Sequence, residues 1–492
     1  MNHEKGKKPE IKTFGDLKKS GYQTRPIRDE LRENLILRMK ADTPSFQGVW
    51  GYENSVIPQL EQAILSRHHI NLLGLRGQAK TRLARLMVEL LDEWIPEVAG
   101  SEIHDDPYAP ISRYALETLR EKGDDTEIAW VHRSERFYEK LATPDVTVAD
   151  LIGDVDPIKA ANLKLSYADD RVIHFGMIPR ANRCIFVINE LPDLQSRIQV
   201  ALFNILEEGD VQIRGFKVRL PLDVQFVFTA NPEDYTNRGS IVTPLKDRIG
   251  SQILTHYPQD LETARRITAQ EAARVPAQEK GIQIPELARD LLEQISFEAR
   301  KSEYVDRKSG VSARMSITAF ENLLSTAERR MLKTGEKNTV IRLSDFMGVL
   351  PAITGKIELV YEGEQEGADN VAQILVEEAV KTVFATHFPE IKKLEHKDAE
   401  TPYDALIAWF FESEGIDLMD DLSDAHYREV LQSIKPLTAL ISKYMPDLEE
   451  QSRPFAEEMV LWGLEGFEKL SKSRISEGFR FRDLYGSYIS GL

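Results

Sequence analysis

The sequence predicts an α/β fold in which a parallel sheet, flanked by helices, precedes a mainly helical C-terminal part. Three short apolar runs alternate with helical segments: His69–Leu73, Cys184–Ile188 and Val224–Thr229. Runs of this kind, rich in β-branched and aromatic residues, are typical of strands buried on both faces of a sheet. A glycine-containing loop follows the first run and opens a helix, and no strand is predicted after Pro258. The pattern favours a doubly wound core.

Four parts are predicted along the chain. Residues 1–45 are an N-terminal tail and helix, of which the first 22 are Lys-rich and expected to be mobile. Residues 46–260 form the α/β core, in which a helix is expected from Thr81 to Trp94. Residues 261–360 form a small helical lid, and residues 370–492 a separate all-helical module. The acidic stretch between them indicates a linker.

The composition excludes several classes of protein. The formal net charge is −17, so the surface should repel a nucleic-acid backbone and a nucleic-acid partner is not expected. Cys184 is the only cysteine, which excludes a disulfide framework. The N-terminus has no apolar signal region, and no apolar run approaches the about 18 residues that span a membrane. A cytoplasmic location is therefore expected.

The loop Gly74-Leu-Arg-Gly77-Gln-Ala-Lys80-Thr81 has the residues of a phosphate-binding loop. Glycines let backbone N–H groups approach phosphate oxygens, and the following helix N-terminus favours negative charge. We expect Lys80 to contact the β- and γ-phosphates of ATP and the Thr81 hydroxyl to ligate Mg²⁺. Ala79 replaces the usual glycine, so its backbone is expected to be helical. The predicted nucleotide-binding residues here are Gly74, Gly77, Gln78, Ala79, Lys80, Thr81 and Arg82.

A second motif lies at the end of the Cys184–Ile188 run, where Asn189 and Glu190 follow a buried strand. Glu190 is expected to polarise the attacking water. Asn189 stands where an aspartate would support the Mg²⁺ shell, and its amide oxygen could still accept from a metal-bound water. Losing that charge should cost about 10- to 100-fold in metal affinity or activity. An Asn189→Asp substitution is therefore expected to raise turnover.

Three further polar residues complete the predicted catalytic set. Asn231 follows the third strand and is suited to hold the lytic water near Glu190. Arg248 is a candidate arginine finger that reaches into the site of a neighbouring subunit. Arg314, near the start of a helix in the predicted lid, is a candidate for coupling lid position to the γ-phosphate. A surface arginine paired with Asp247 is the alternative reading of Arg248.

Beyond the loop, the sequence resembles AAA+ ATPases of the MoxR type and, more closely, the ATPase I subunit of magnesium chelatase. The resemblance runs through about residues 46–330, and alanine before the loop lysine is tolerated in MoxR-type proteins. It is carried by Asp105–Pro110, Leu151–Pro157, Gly176–Ile185, Leu206–Asp210 and Asn231–Asp234, which occur in one order.

The resemblance implies an ATP-driven ring, usually a hexamer, with a hairpin insertion within residues 154–180. It implies a partner that carries a von Willebrand factor A domain. It also assigns the roles of first sensor to Asn231 and second sensor to Arg314, and it places Trp50 and Gly51 against the adenine. The C-terminal module extends past the end of a chelatase I subunit, so metal chelation does not follow from the likeness.

Two alternatives remain open from the sequence. Asn189 is also compatible with a nucleotide-binding ring scaffold that hydrolyses little ATP. A transcription activator of the same AAA+ branch is disfavoured, because its Gly-Ala-Phe-Thr-Gly-Ala loop is absent between residues 81 and 190.

Overall fold

A computed structural model describes residues 7–166, 170–213, 219–232, 240–391 and 401–484. The chain divides into two compact units, Met1–His256 and Tyr257–Leu492. Helices and strands are labelled below in chain order.

The first unit is built on a five-stranded parallel sheet, as the sequence predicts. Its strands are β1 (Ile70–Leu73), β4 (Phe137–Leu141), β7 (Cys184–Asn189), β10 (Val224–Ala230) and β11 (Ser251–Leu254). They lie in the order β11-β1-β10-β7-β4 and every pair is parallel. Three two-stranded antiparallel ribbons accompany the sheet: β2 (Trp94–Val98) with β3 (Ile128–His132), β5 (Gly153–Val155) with β6 (Ile173–Phe175), and β8 (Asp210–Gln212) with β9 (Arg219–Pro221).

The central strands are buried on both faces, which explains their continuous apolar sequence. In β7, Phe186 and Ile188 belong to one core, whereas Ile185 and Val187 belong to the core on the opposite face. Successive side chains of a strand point to opposite faces, so a strand between two helical layers must be apolar throughout.

The first unit also contains helices, several of which cover the sheet. They are α1 (Phe14–Lys19), α2 (Ile27–Lys40), α3 (Val56–Leu65), α4 (Lys80–Leu86), α5 (Arg113–Lys122), α6 (Val148–Leu151), α7 (Pro157–Leu163), α8 (Met177–Arg180), α9 (Ser196–Ala201), α10 (Phe203–Glu208) and α11 (Thr243–Arg248). The hairpin of β5 and β6 begins at Gly153, one residue before the predicted insertion at residues 154–180, and otherwise overlaps it.

Two predictions for this unit were wrong. The helix expected to reach Trp94 ends earlier: α4 stops at Leu86, a 3₁₀ turn follows to Leu90, and Trp94 begins β2. The N-terminal segment from residue 7 is ordered, because Leu17 is fully buried and the Trp130 indole N–H donates to the carbonyl of Ile11 over 2.8 Å.

The second unit is mainly helical. Its helices are α12 (Leu261–Glu271), α13 (Pro276–Gly281), α14 (Glu286–Lys301), α15 (Arg314–Thr334), α16 (Leu350–Thr354), α17 (Tyr361–Glu366), α18 (Ala368–His387), α19 (Asp404–Glu412), α20 (Asp424–Gln432), α21 (Lys435–Tyr444) and α22 (Arg453–Gly466). Residues from both sides of position 360 line one hydrophobic core, for example Leu291, Phe320, Val376 and Trp462.

The expectation that strands stop after Pro258 was also wrong. The second unit contains a short parallel pair, β12 (Ile282–Gln283) and β13 (Thr339–Val340). It also contains a three-stranded antiparallel sheet of β14 (Ile416–Met419), β15 (Ser471–Ile475) and β16 (Gly478–Arg482). Strand β16 alternates buried Phe479 and Phe481 with arginines, a period of two that indicates a half-buried strand.

Within the described ranges, no helix has both the length and the apolar character needed to cross a bilayer.

Candidate nucleotide-binding site

The loop between β1 and α4 packs tightly against neighbouring strand ends. The N–H of Gly74 donates to the carbonyl of Ala230, at the end of β10, over 3.1 Å. A Cβ atom on Gly74 would lie 1.9 Å from Oγ1 of Thr255 and 2.3 Å from Oε1 of Gln78, so only glycine fits. Gly77 has a φ of 74°, which also favours glycine. Both glycines are therefore required by the path of the loop.

The backbone at Ala79 is left-handed, with φ 55° and ψ 19°, and α4 begins at the next residue. The expectation of a helical Ala79 was therefore wrong. A Cβ atom in this conformation costs about 1–2 kcal/mol. The loop keeps the conformation that suits glycine and holds an alanine in it under strain. Strained residues of this kind cluster at functional sites.

Lys80 and Thr81 occupy the first turn of α4. Lys80 is buried, and its Nζ donates to the carbonyl of Leu75 over 3.0 Å and to that of Gly74. Gln78 is also buried, and its Oε1 accepts from Oγ1 of Thr255 over 2.7 Å. The Arg82 side chain, one residue beyond Thr81, is partly exposed. The ammonium group and the helix N-terminus thus lie together beside the loop, as phosphate binding requires.

Asn189 connects α4 to the sheet through both atoms of its amide. Its Oδ1 lies 3.5 Å from Oγ1 of Thr81 and accepts from Oγ1 of Thr229 over 3.0 Å. Its Nδ2 donates to Oε1 of Glu139 on β4 over 2.5 Å. The structure therefore brings Thr81 and Asn189 together, as the sequence predicts.

Glu190 and Asn231 follow neighbouring strands of the sheet. The Glu190 N–H donates to Oγ1 of Thr229 over 3.2 Å, and its backbone is left-handed with φ 55°. The Oδ1 atom of Asn231 is buried and accepts no hydrogen bond from the part of the chain that the structure describes. A buried acceptor without a donor is costly, so this oxygen is a candidate for contacting a ligand.

Trp50 and Gly51 are tied to the loop through the next residue. The Tyr52 hydroxyl is hydrogen-bonded to the carbonyl of Gln78 over 2.9 Å and to that of His256 over 2.8 Å. The partly exposed Trp50 and Gly51 therefore lie in a segment anchored to the phosphate-binding loop, as the predicted adenine contact would need.

The two predicted arginines lie in different surroundings. Arg248 ends α11 and pairs with Glu207, with Nη2 2.6 Å from Oε2, and its guanidinium lies 5.2 Å from the ring centroid of Phe203. Its partner is thus Glu207 and not Asp247. Arg314 belongs to the second unit, where it is exposed at the start of α15.

The oxygen donors near Thr81 fit Mg²⁺ held mainly by phosphates and water. Mg²⁺ usually takes only one or two protein oxygens and keeps several waters, and the Thr81 hydroxyl with the Asn189 amide oxygen provides such a set. Among the described residues, no group of three His, Cys, Asp or Glu side chains is arranged to hold a metal ion. Burial raises the pKa of Cys184 to about 12, so this thiol is no nucleophile.

Three residues of the site were missed by sequence reasoning: Glu139, Thr229 and Tyr52. Glu139 lies in Phe-Tyr-Glu-Lys-Leu, which has no continuous apolar run and was not predicted as a strand. Thr229 ends an apolar run that predicts only a strand, and its proximity to Asn189 depends on the pairing of β7 with β10. The aromatic Tyr52 beside Gly51 was the only signal that could have been noticed in the sequence.

The loop after the first strand and the polar residues at the ends of β7 and β10 define the class as a P-loop type of α/β nucleotide-binding fold. Residues 127–249 match the family model of the AAA domain (dynein-related subfamily). The matched part contains Glu139, Asn189, Glu190 and Asn231, but not the loop at 74–81. This region of the chain therefore has the fold of an AAA domain.

Several solved structures are similar at low identity. A putative ATPase from Cytophaga hutchinsonii is 18% identical, with 73% of this chain and 97% of that chain covered and a TM-score of 0.28. The RuvB Holliday junction branch migration motor of Thermotoga maritima is 12% identical, with 94% and 98% covered and a TM-score of 0.34.

A third similar structure is a complex between the BchI and BchD subunits of magnesium chelatase, with 17% identity, 70% of this chain and 99% of that chain covered, and a TM-score of 0.31. Likenesses at this level carry no information on the activity or partners of this chain. A search of curated proteins finds no match.

Proposed function

We propose that this chain is an ATP-binding AAA+ ATPase that assembles into a hexameric ring and uses ATP hydrolysis to remodel or activate a partner protein. The observation that carries the proposal is the meeting of Lys80 and Thr81, at the start of α4, with Asn189 from the end of β7. Ligands of open α/β sheets bind at the carboxyl ends of the strands, where these residues lie.

In this proposal each side chain has one task. Lys80 contacts the β- and γ-phosphates, and the loop N–H groups hold phosphate oxygens. Thr81 ligates Mg²⁺, which neutralises phosphate charge when bound. Glu190 polarises the attacking water, and Asn231 orients it with the amide oxygen that has no donor among the described residues. Gly74, Gly77, Gln78, Ala79, Arg82 and Asn189 complete the phosphate side, and Trp50 with Gly51 contacts the adenine.

The ring gives the two arginines their proposed roles. Arg248 acts as the finger for a neighbouring subunit, so ring formation has to draw it away from Glu207. This surface ion pair costs little to break, about 0–1 kcal/mol. Arg314 acts as the second sensor. A subtype close to MoxR or the magnesium chelatase ATPase subunit, a partner with a von Willebrand factor A domain and a cytoplasmic location belong to the same proposal.

Nucleotide assays of the purified full chain test the core of the proposal. We expect Lys80-dependent binding of ATP with Mg²⁺, and phosphate release that falls at least about 100-fold in Lys80→Ala and in Glu190→Gln. Glu190→Gln should still bind ATP, since it loses only the water-polarising group. Equal turnover in the wild type and Lys80→Ala would overturn the enzyme proposal.

A second candidate is a nucleotide-binding ring scaffold with little hydrolysis, which Asn189 favours because it carries no charge. Affinity capture with ATP-loaded Glu190→Gln separates the two. Recovery of a von Willebrand A-domain protein supports remodelling. Recovery of only the ring, together with ATP binding but no Lys80-dependent turnover, supports the scaffold.

A further inference from the structure

Glu139 places a carboxylate directly against Asn189. One oxygen, Oε1, accepts from Nδ2 of Asn189 over 2.5 Å. The other, Oε2, accepts from Nη2 of Arg85 over 2.7 Å and from its Nε over 3.3 Å. Arg85 lies one turn beyond Thr81 on α4, so this chain of contacts runs beside the proposed Mg²⁺ ligand.

The chemistry of the neighbours fixes the orientation of the Asn189 amide. An ionised carboxylate can only accept hydrogen bonds, so the NH₂ group must face Glu139. The amide oxygen then faces Thr81 and Thr229, whose hydroxyls can donate. A hydrogen bond to a charged acceptor polarises the amide and makes its oxygen more negative.

We infer that Glu139 supplies, through the amide of Asn189, the negative charge that an aspartate at position 189 would direct at the Mg²⁺ shell. Glu139 is a positioning residue, since it acts through Asn189 and Thr81. Arg85 holds its second oxygen in place; this contact is weak because the Arg85 side chain is 64% exposed. The inference rests on the proposed nucleotide site and identifies the residue that lets Asn189 serve in place of an aspartate.

The arrangement changes the expected effect of restoring the missing aspartate. In Asn189→Asp the new carboxylate would face Glu139 where the amide now donates, so two like charges would oppose each other. The sequence alone predicts a gain from this substitution. The structure instead leads us to expect a loss from Asn189→Asp alone and a recovery when Glu139→Gln is added.

The first experiment measures how ATP binding depends on Mg²⁺ in the full chain. The readout is the affinity for a fluorescent ATP analogue titrated with Mg²⁺, beside the affinity in EDTA. In Glu139→Gln we expect the apparent Mg²⁺ affinity to fall about 10- to 100-fold while the metal-free affinity stays within about twofold. The substituted amide side chain keeps an oxygen that can accept from Asn189, so the fold should persist.

The matched control is Glu135→Gln, which removes the same charge four residues earlier, where the side chain is exposed. It should leave both affinities unchanged. Equal Mg²⁺ affinity in Glu139→Gln and the wild type would overturn the inference. A parallel fall of both affinities would also overturn it, because a general disturbance of the loop weakens binding with and without metal.

The second experiment exchanges the charge between the two strands. The double variant Asn189→Asp/Glu139→Gln should bind Mg²⁺ at least as tightly as the wild type, whereas each single substitution weakens it. A double variant no better than Glu139→Gln alone would contradict the inference. Failure of the proposed function is distinguishable, because the wild type would then show no Lys80-dependent ATP binding at all.

Discussion

The two compact units each contain a network of charged and polar side chains, and the two networks differ in the group at their centre: the neutral amide of Asn189 in the first unit and the buried guanidinium of Arg330 in the second. In the first unit, the network around Asn189 reaches the surface through Arg85. The Asn231 oxygen, which follows the neighbouring strand β10, has no donor among the described residues. In the second unit, Arg330 is 5% exposed, and each of its nitrogens donates to Asp345, Asp424, Thr339 or Val340.

The difference indicates that the Arg330 network stabilises the fold, whereas the residues around Asn189 are suited to bind a ligand. Every nitrogen of Arg330 already donates within the protein, so this side chain has no capacity left for a ligand, and it stabilises the packing of α15 against β13 and α20. The proposed nucleotide site of the first unit has an acceptor, Oδ1 of Asn231, that is unpaired within the described ranges, and strained backbones at Ala79 and Glu190. Such costs are tolerated where a ligand is held. A substitution at Arg330 should therefore change unfolding, whereas substitutions around the proposed nucleotide site can change nucleotide binding or turnover as well as stability.

The largest expected effect is at Arg330. Arg330→Met leaves the buried carboxylate of Asp345 without its cation, whereas Asp424 keeps its ion pair with Arg342, and the loss at Asp345 should lower the free energy of unfolding by about 3–5 kcal/mol. The protection of α15 amides from hydrogen exchange measures this loss of stability locally. The control is the exposed neighbour Arg329→Met, expected to change stability by no more than about 0.5 kcal/mol. Similar protection in both variants would contradict the view of a stabilising network.

The next effect is a dependence of stability on pH that comes from Glu458. This carboxyl group accepts hydrogen bonds from the Tyr427 hydroxyl and the Leu343 N–H. Burial raises the pKa of Glu458 from 4.5 to about 7. The folded state thus keeps a proton that the unfolded state releases, so stability falls as pH rises from about 4.5 to about 7, by about 3 kcal/mol. Denaturant unfolding at several pH values should show this slope in the wild type and a smaller slope in Glu458→Gln.

A smaller effect is expected at the hydroxyl shared by Asn189 and Glu190. Thr229→Val keeps the shape of the buried side chain but removes the acceptor of the Glu190 N–H. This loss should lower the free energy of unfolding by about 1–3 kcal/mol. Turnover should fall as well, because Glu190 loses its anchor. Thr229→Ser retains the hydroxyl and should keep both stability and turnover. The measurements are the thermal unfolding temperature and the rate of phosphate release. Equal values for Thr229→Val and Thr229→Ser would contradict the proposed role of the hydroxyl.

The smallest effect is at Ala79. Ala79→Gly relieves left-handed strain of about 1–2 kcal/mol, offset by about 0.4–1 kcal/mol of added freedom in the unfolded chain. A net gain between zero and about 1.6 kcal/mol is expected in the unfolding free energy. The same substitution at Ala84, inside α4, should have the opposite sign. Destabilisation by Ala79→Gly would mean that Ala79 makes a favourable contact that outweighs its strain.

Much of the fold could be predicted because its signals are local. A few consecutive residues are enough to predict the strands β1, β7 and β10 from their apolar runs and the loop from its glycines. The strand β4 escaped prediction because Phe137–Leu141 lies at the edge of the sheet and carries polar side chains. The sheet of β14, β15 and β16 escaped because helical patterns surround it, although the alternation in Phe479–Arg482 was visible.

The sequence by itself determined the phosphate-binding loop, the parallel sheet and the absence of an aspartate at position 189. Only the tertiary structure decided that Glu139 stands beside Asn189. These two residues are 50 positions apart along the chain, and no periodicity relates them. They meet because β4 and β7 pair in a register that puts their side chains on one face of the sheet, so the electrostatics of the site depend on strand pairing.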